Sequence, residues 1–393
     1  MADYEKLKKQ IDEKIAAYHA EMIEFSDHIA DNPEISGEEY ETSKYIVEFL
    51  RGKGFDVEYP YGGLDTAFLA TYGKTGRSHR VAILTEYDAL PEIGHACGHN
   101  ISGSMSVLAG LATIELQDEL DCDIHIVGTP NEEMDGGKCR LDDRGLFDGY
   151  DMAMMVHLYD QNLLTCKLLA LKGRMVEFHG KAAHAAMAPW EGTNALNAAE
   201  LFMHAIDCYR QHVTPDVRIH GIYFNGGEAP NIVPEEASIK LYMRCLNKGI
   251  LDNVIDRDIL NMAQGACLMT GCTLTADMVE HPYDDLKPNP TGLEAIREIY
   301  DELGIDLNGD HSKIFGSSDI GNVSYSCPAF HPTLQLVDRG VAIHTREFEA
   351  QVKSEHAHEL IATGAKVIAY QIAKVIGDDE RNRRMQADFT KQE

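Results

Sequence analysis

The chain predicts an α/β fold: a mostly parallel sheet in one domain, interrupted by an inserted domain of a different kind. Three observations carry this. Short apolar runs alternate with stretches of helical periodicity up to about Lys172. From there the order becomes β-α-β-β-α-β, the ferredoxin-like arrangement. After Pro288-Asn289-Pro290 the helix and strand alternation resumes. The expected organisation is therefore a discontinuous domain of residues 1–172 and 284–393 around an insertion of residues 173–283.

Taken in order, Leu7, Ile11, Ile15, Met22 and Phe25 recur at helical spacing between Tyr4 and Ile29, and Asn32-Pro33 ends that helix. A second helix from Glu39 to Lys53 stops at Gly54. Strands are expected at 55–59, 66–72 and 80–84, the last being the apolar run Val81-Ala-Ile-Leu84. A small-residue helix covers Ser102 to Leu116, and strands follow at Asp123 to Gly128 and Asp151 to His157. In the insertion, strands at 174–180, 217–224, 237–246 and 272–279 enclose helices at 194–209 and 251–268. A helix at Thr291 to Leu303, a strand at Thr333 to Val337 and a long helix at Glu349 to Ile376 complete the pattern. The charged stretch from Gly377 to Glu393 is expected to fray.

Composition narrows the function. A formal net charge of −29 argues against nucleic acid or an anionic membrane as partner, since either needs a basic patch. No apolar run approaches the ~20 residues of a membrane span, and the first residues lack the apolar core of a secretion signal. A cytoplasmic address is expected. Nine cysteines, odd in number and irregular in spacing, read as reduced thiols rather than a disulfide framework. Only Cys97 has chemistry around it.

That chemistry lies in the stretch from Glu86 to Asn100, which sets acids, imidazoles and one thiol directly behind the apolar strand. Ligands bind outside the carboxyl ends of strands in open α/β sheets, and Cys97 and His99 fall there. Both are donors suited to zinc, manganese or cobalt. Glu132 and Glu133 leave the end of the next strand: one carboxylate can bind a metal while its neighbour acts as a general base. In isolation such a pair reads equally as a solvated loop. His157 closes an apolar strand, and His344 precedes the last helix; each alone reads as well as a structural histidine. Together Cys97, His99, Glu133, His157 and His344 supply five donors, more than one tetrahedral zinc requires. They suit two divalent ions sharing a ligand.

The motifs Glu86-Tyr-Asp-Ala-Leu-Pro, Gly94-His-Ala-Cys-Gly-His-Asn100, Gly128-Thr-Pro-Asn-Glu-Glu133, Gly180-Lys-Ala-Ala-His184, Asn231-Ile-Val-Pro, Gly316-Ser-Ser-Asp319 and Ala342-Ile-His344-Thr stand in an order similar to the M20 metallopeptidase and amidohydrolase family. Within it the chain resembles the branch of aminobenzoyl-glutamate hydrolase, N-acyl-amino-acid hydrolases and β-alanyl-lysine type dipeptidases. The resemblance spans nearly the whole chain. It implies a dinuclear metallohydrolase core with the insertion as a lid that also forms a homodimer. It also implies that Cys97, His99, Glu133, His157 and His344 bind two divalent metals (zinc, manganese or cobalt) and that Glu132 is the general base. Asp88 falls where an acid orients a ligand imidazole. His184 resembles the lid histidine that stabilises the oxyanion, commonly reaching across to the neighbouring protomer. Asn231 and Arg244 match lid residues that hold a substrate carboxylate, a natural task for a guanidinium. Gly316, Ser317 and Ser318 would donate to the same end of the substrate. Two departures stand out: Met134-Asp135 interrupts a glycine run, and Asn100 replaces the aspartate of many acyl-amino-acid hydrolases.

The implied reaction is hydrolysis of an amide in a small N-acyl-amino acid or dipeptide with a free carboxylate, through a metal-bound hydroxide and a glutamate base. The alternatives are a dipeptidase specific for basic C-terminal residues, a non-catalytic metal-binding member of the fold, and a cysteine hydrolase using Cys97 with His99.

Overall fold

The computed structural model describes residues 3–309 and 316–391. It divides into two compact units, Met1–Lys167 with Leu286–Glu393, and Leu168–Asp285.

In the first unit a six-stranded sheet has the order β1 (Asp56–Glu58), β2 (Phe68–Thr71), β4 (Cys122–Gly128), β3 (His79–Thr85), β5 (Met152–Met154), β13 (Ala329–Phe330). The pairs β3/β4, β3/β5 and β5/β13 are parallel, while β1 and β2 form an antiparallel edge. Central strands are therefore covered on both faces: β4 is buried at every residue and β3 from Val81 onward. The helix His99–Thr113 is buried along its whole length, which its small residues permit. Helices Tyr4–Asp31 and Glu355–Ile376 cover it, the first burying Leu7, Ile11, Ile15, Met22, Phe25 and Ile29. Asp3 caps that first helix through the Lys6 N–H.

Two expectations need correction. The strand read to end at His157 breaks after Met154. His157 instead opens β6 (His157–Tyr159), which pairs in parallel with β14 (Thr333–Gln335) as a separate ribbon. The His157 N–H donates to the Pro332 carbonyl, so the ribbon starts where proline can accept but not donate. The C-terminal stretch is a helix, Asp379–Thr390, capped by the Asp378 side chain. Its charges pair with the helix Pro290–Leu303, Arg381 to Glu298 at 2.9 Å and Arg384 to Glu294 at 3.0 Å, and Met385 is buried beneath.

The second unit is an antiparallel sheet in the order β12 (Thr273–Met278), β7 (Ala170–His179), β11 (Glu236–Cys245), β9 (Arg218–Asn225). With helices Ala195–Tyr209 and Arg257–Thr270 this is the expected β-α-β-β-α-β order. Its own core gathers Val176, Phe178, Phe202, Ile239, Met243 and Ile259. A short ribbon pairs β8 (Ala183–His184) with β10 (Ile232–Val233). All nine cysteines are free. Among the described residues no single helix is long and apolar enough to cross a membrane.

Candidate metal centre

β3 ends at Thr85, and the loop behind it runs to Gly98, whose left-handed φ of 83° turns the chain into the helix that begins at His99. Cys97 and His99 therefore flank that turn. Glu133 follows β4, and His157 opens β6. His344 is drawn in by its backbone: its N–H donates to the Ala96 carbonyl at 2.9 Å, with φ at 64°.

The side chains converge. Cys97 Sγ is 3.5 Å from His157 Nε2, and His344 Nε2 is 3.2 Å from Glu133 Oε1. Donor atoms of Cys97, His99 and His157 lie within 4.8 Å of one another, as do those of Cys97, Glu133 and His344. Cys97 belongs to both sets, the arrangement two cations sharing a thiolate would need.

The imidazole tautomers agree with that reading. His157 Nδ1 sits 2.8 Å from the Leu158 carbonyl, so it carries the proton and leaves Nε2 as a lone pair beside Cys97. His99 Nδ1 lies 3.0 Å from the Asp88 backbone oxygen and 2.9 Å from Asp88 Oδ1, which leaves its Nε2 bare. That Nε2 is buried without a hydrogen-bond partner, 3.4 Å from Glu86 Oε2, and Glu133 Oε1 has His344 Nε2 beside it. Lone pairs facing one another in a buried site repel unless a cation lies between them, so the residues fit divalent metal ions.

Asp88 orients the set. Its Oδ2 accepts from Ser36 Oγ at 2.6 Å and from the Glu133 N–H at 3.0 Å, so one buried carboxylate aligns two candidate ligands. The adjacent glutamates are driven apart electrostatically. Burial, then Glu133, Asp319 and Glu86, push Glu132 well above the ordinary carboxylate value. Burial also acts against Glu133 ionising, but His344 and His99 hold it below that value. One carboxylate thus suits a cation and the other a proton. Burial raises the Cys97 thiol well above its usual value, which disfavours a free thiolate nucleophile.

The expected second-unit residues gather only in part. His184 and Ile232 are partners across the β8/β10 ribbon, and the Ala185 N–H donates to the Asn231 carbonyl, so His184 and Asn231 are neighbours. His184 Nδ1 accepts from the Ala186 and Met187 N–H groups, both at 3.2 Å, so the neutral ring presents Nε2–H as a donor. Arg244 stands in β11 opposite Leu171 and Arg218, its guanidinium 6.0 Å from the Tyr242 ring centroid. In the first unit, Gly316 has φ of 95° and open space at its Cβ position, Ser317 is half-buried and Ser318 is buried.

Three groups were not anticipated. Lys138, fully buried, pairs with Glu86 and Asp319. Burial disfavours its charge, but Asp319, Glu86 and Glu132 hold it well above the ordinary lysine value. Glu39 accepts from the Asn131 N–H beside the glutamate pair. The His331 ring stacks 5.2 Å from His157. Glu86 and Asp319 lie within the quoted motifs; Lys138, in a Gly-Gly-Lys-Cys-Arg turn, carries no signal of burial.

A model of the peptidase dimerisation domain matches residues 170–261. The chain is 32% identical over 390 residues to the Xaa-Arg dipeptidase of Mus musculus, covering 95% of this chain and 90% of that one. It is 26% identical to a component chain of the p-aminobenzoyl-glutamate hydrolase of Escherichia coli, covering 91% and 90%. A dinuclear metal-binding peptidase from Bacillus subtilis shares the fold, with a TM-score of 0.70 at 17% identity over 92% of this chain and 99% of that one.

Proposed function

Because the chain belongs to the M20 family of metal-dependent peptidases and amidohydrolases, we propose that it hydrolyses the amide bond of a small dipeptide or N-acyl amino acid bearing a free carboxylate, dipeptides ending in a basic residue first among them. The observation that carries this is the pair of donor sets joined at Cys97, with Glu132 beside them. Cys97, His99, Glu133, His157 and His344 would hold two divalent ions. Such ions polarise an amide carbonyl and acidify a water.

Glu132 takes the proton of the attacking water as its oxygen adds to the carbonyl carbon. It keeps that proton until the C–N bond breaks, then returns it to the leaving nitrogen. The second proton of the water follows by the same glutamate, and the products are a carboxylate and an ammonium. His184 offers Nε2–H to the developing oxyanion. For the substrate carboxylate the proposed residues are Arg244 and Asn231 in the insertion and Gly316, Ser317 and Ser318 in the first unit. Preference for a cationic C-terminal residue is supported by the 32% identity to Xaa-Arg dipeptidase and suits the net charge of −29.

The protein works as a homodimer through the insertion. Ile222, Tyr223 and Phe224 are exposed on β9, the last strand of its sheet, where an unpaired apolar edge favours a second copy. The nine free cysteines suit a reducing, cytoplasmic setting.

A turnover screen of metal-loaded protein against Xaa-Arg and Xaa-Lys dipeptides, N-acyl amino acids and aminobenzoyl-glutamate tests the reading. Hydrolysis abolished by chelation and by Glu132→Gln, with metal content retained in that variant, is the expected result. Turnover that survives either treatment refutes the assignment.

A further inference from the structure

Lys138 is the one lysine or arginine among the described residues that is fully buried. Its Nζ lies 2.5 Å from Glu86 Oε1 and 2.7 Å from Asp319 Oδ1, and its backbone N–H donates to Asp319 Oδ2 at 2.9 Å. Three separate segments meet there: the end of β3, the short helix Gly137–Asp142, and the turn at Asp319. A buried ion pair of this kind is weak evidence for a stabilising role, because removing the charges from water offsets much of their attraction. Its position is more telling. Carboxylate oxygens of Glu86, Glu132 and Asp319 lie within 4.8 Å of one another, and a Glu132 oxygen also lies within 4.8 Å of donor atoms of His99 and Glu133. Glu132 therefore stands between the candidate ligands on one side and the lysine cluster on the other.

The backbone ties the same groups together. The Gly136 N–H donates to the Asn131 carbonyl at 2.9 Å, closing the turn that carries Glu132. A Cβ on Gly137 would meet the Pro130 carbonyl oxygen at 1.9 Å, so the helix bearing Lys138 is seated directly on that turn. Glu86 and Asp319 hold the one ammonium, and a Glu132 oxygen lies within 4.8 Å of both acids. Without it, Glu132 would confront two uncompensated acids and be driven from the ligands.

We propose that Lys138 is a positioning residue for the general base: its ammonium, anchored by Glu86 and Asp319, holds the Glu132 carboxylate beside the metal ligands. The assignment rests on the reaction proposed above. It differs from a packing role in a testable way, because methionine fills nearly the same volume without the charge.

The experiment compares the parent protein with Lys138→Met and Lys138→Met/Asp319→Asn, each titrated with Co²⁺, assayed on an Xaa-Arg dipeptide and crystallised. Lys138→Met should bind two Co²⁺ with the parental absorption spectrum, show Glu132 displaced by about 1 Å, and lose about 100-fold in kcat while KM stays within about threefold. Removing one acid in the double variant should restore about tenfold of that kcat. Parental kcat in Lys138→Met, an unmoved Glu132, loss of Co²⁺ in step with activity, or no recovery in the double variant each overturns the proposal. If Lys138→Met does not fold, the double variant decides: parental kcat overturns the proposal, while reduced kcat with two Co²⁺ bound supports it. If the parent cleaves no amide, the proposed reaction fails, and the position of Glu132 in the variant crystals still decides the role of Lys138.

Discussion

Replacing Asp88 by asparagine keeps the volume and changes one atom's chemistry, and the geometry says which atom. Oδ2 accepts from both Ser36 Oγ and the Glu133 N–H, so an oxygen must remain there. The new amide nitrogen is then forced into the Oδ1 position, 2.9 Å from His99 Nδ1. Two donors would face each other unless the imidazole moved its proton to Nε2, the nitrogen that must stay bare to bind a metal. Losing a hydrogen bond to a charged group costs about 1.5–3 kcal/mol. At 1.4 kcal/mol per decade that is about 10–100-fold in affinity, the range typical of groups that orient metal ligands. The assay is a chelator-competition titration of the metal-free protein with Zn²⁺. The reference is the parent measured at the same pH, above the ordinary carboxylate range. Although burial works against it, His99 holds the Asp88 carboxyl below that range, so its contribution to the folded state is present above the unfolded carboxylate value of about 3.9 and fades as pH falls below it. Unchanged Zn²⁺ affinity in Asp88→Asn would refute the tautomer argument, even if the variant melted at lower temperature.

Glu39→Gln should stabilise the protein at pH 8 and not at pH 4. Burial, aided by Asp88, pushes this carboxyl up to about 7, so its folded form favours the proton and loses that advantage as pH rises from the unfolded value through about 7, a cost of about 3 kcal/mol. Glutamine fits the contacts, since Oε1 can still accept from Gly37 and Asn131 while the amide donates to Thr66 Oγ1; urea unfolding at both pH values decides, and a pH-independent effect contradicts the reading. Gly103→Ala places a Cβ 2.4 Å from the Glu86 backbone oxygen, which cannot yield as a side chain would; calorimetry should record a loss of about 1–3 kcal/mol, and a parental melting curve would dispose of the idea. Phe224→Lys on the exposed β9 edge should shift light-scattering mass from dimer to monomer, whereas an unaltered dimer would move the interface elsewhere.

The four-stranded sheet and two long helices of the insertion were legible from their periodicity, so β-α-β-β-α-β could be read without tertiary information, whereas the two-residue strands β8 and β10 were too short to give a pattern. The run Met152 to His157 was not, since a uniformly apolar stretch gives no phase. Its break after Met154 is imposed by Pro332, which lies more than 170 residues on in the chain. The terminal helix was missed for a related reason: Arg381 and Arg384 read as solvated until Glu298 and Glu294 are brought opposite them.

The same division runs through the metal centre. Cys97, His99, Glu133, His157 and His344 could be singled out because each follows or opens an apolar strand or sits in a distinctive motif, and soft donors at strand ends point to a metal. What holds them could not. Four non-glycine residues among those described have left-handed backbone, and two of them are at this site: Asn131, immediately before the glutamate pair, and His344 itself. That conformation costs about 1–3 kcal/mol at a residue without special support. Here the support is visible, with the Asn131 N–H on Glu39 and the His344 N–H on the Ala96 carbonyl. Such strain is kept where the alternative, a relaxed turn, would point Glu132, Glu133 or His344 away from Cys97. The chemistry of the centre is thus written in residue types, while its geometry depends on backbone contacts between segments as distant as Ala96 and His344, which spacing in the chain cannot reveal.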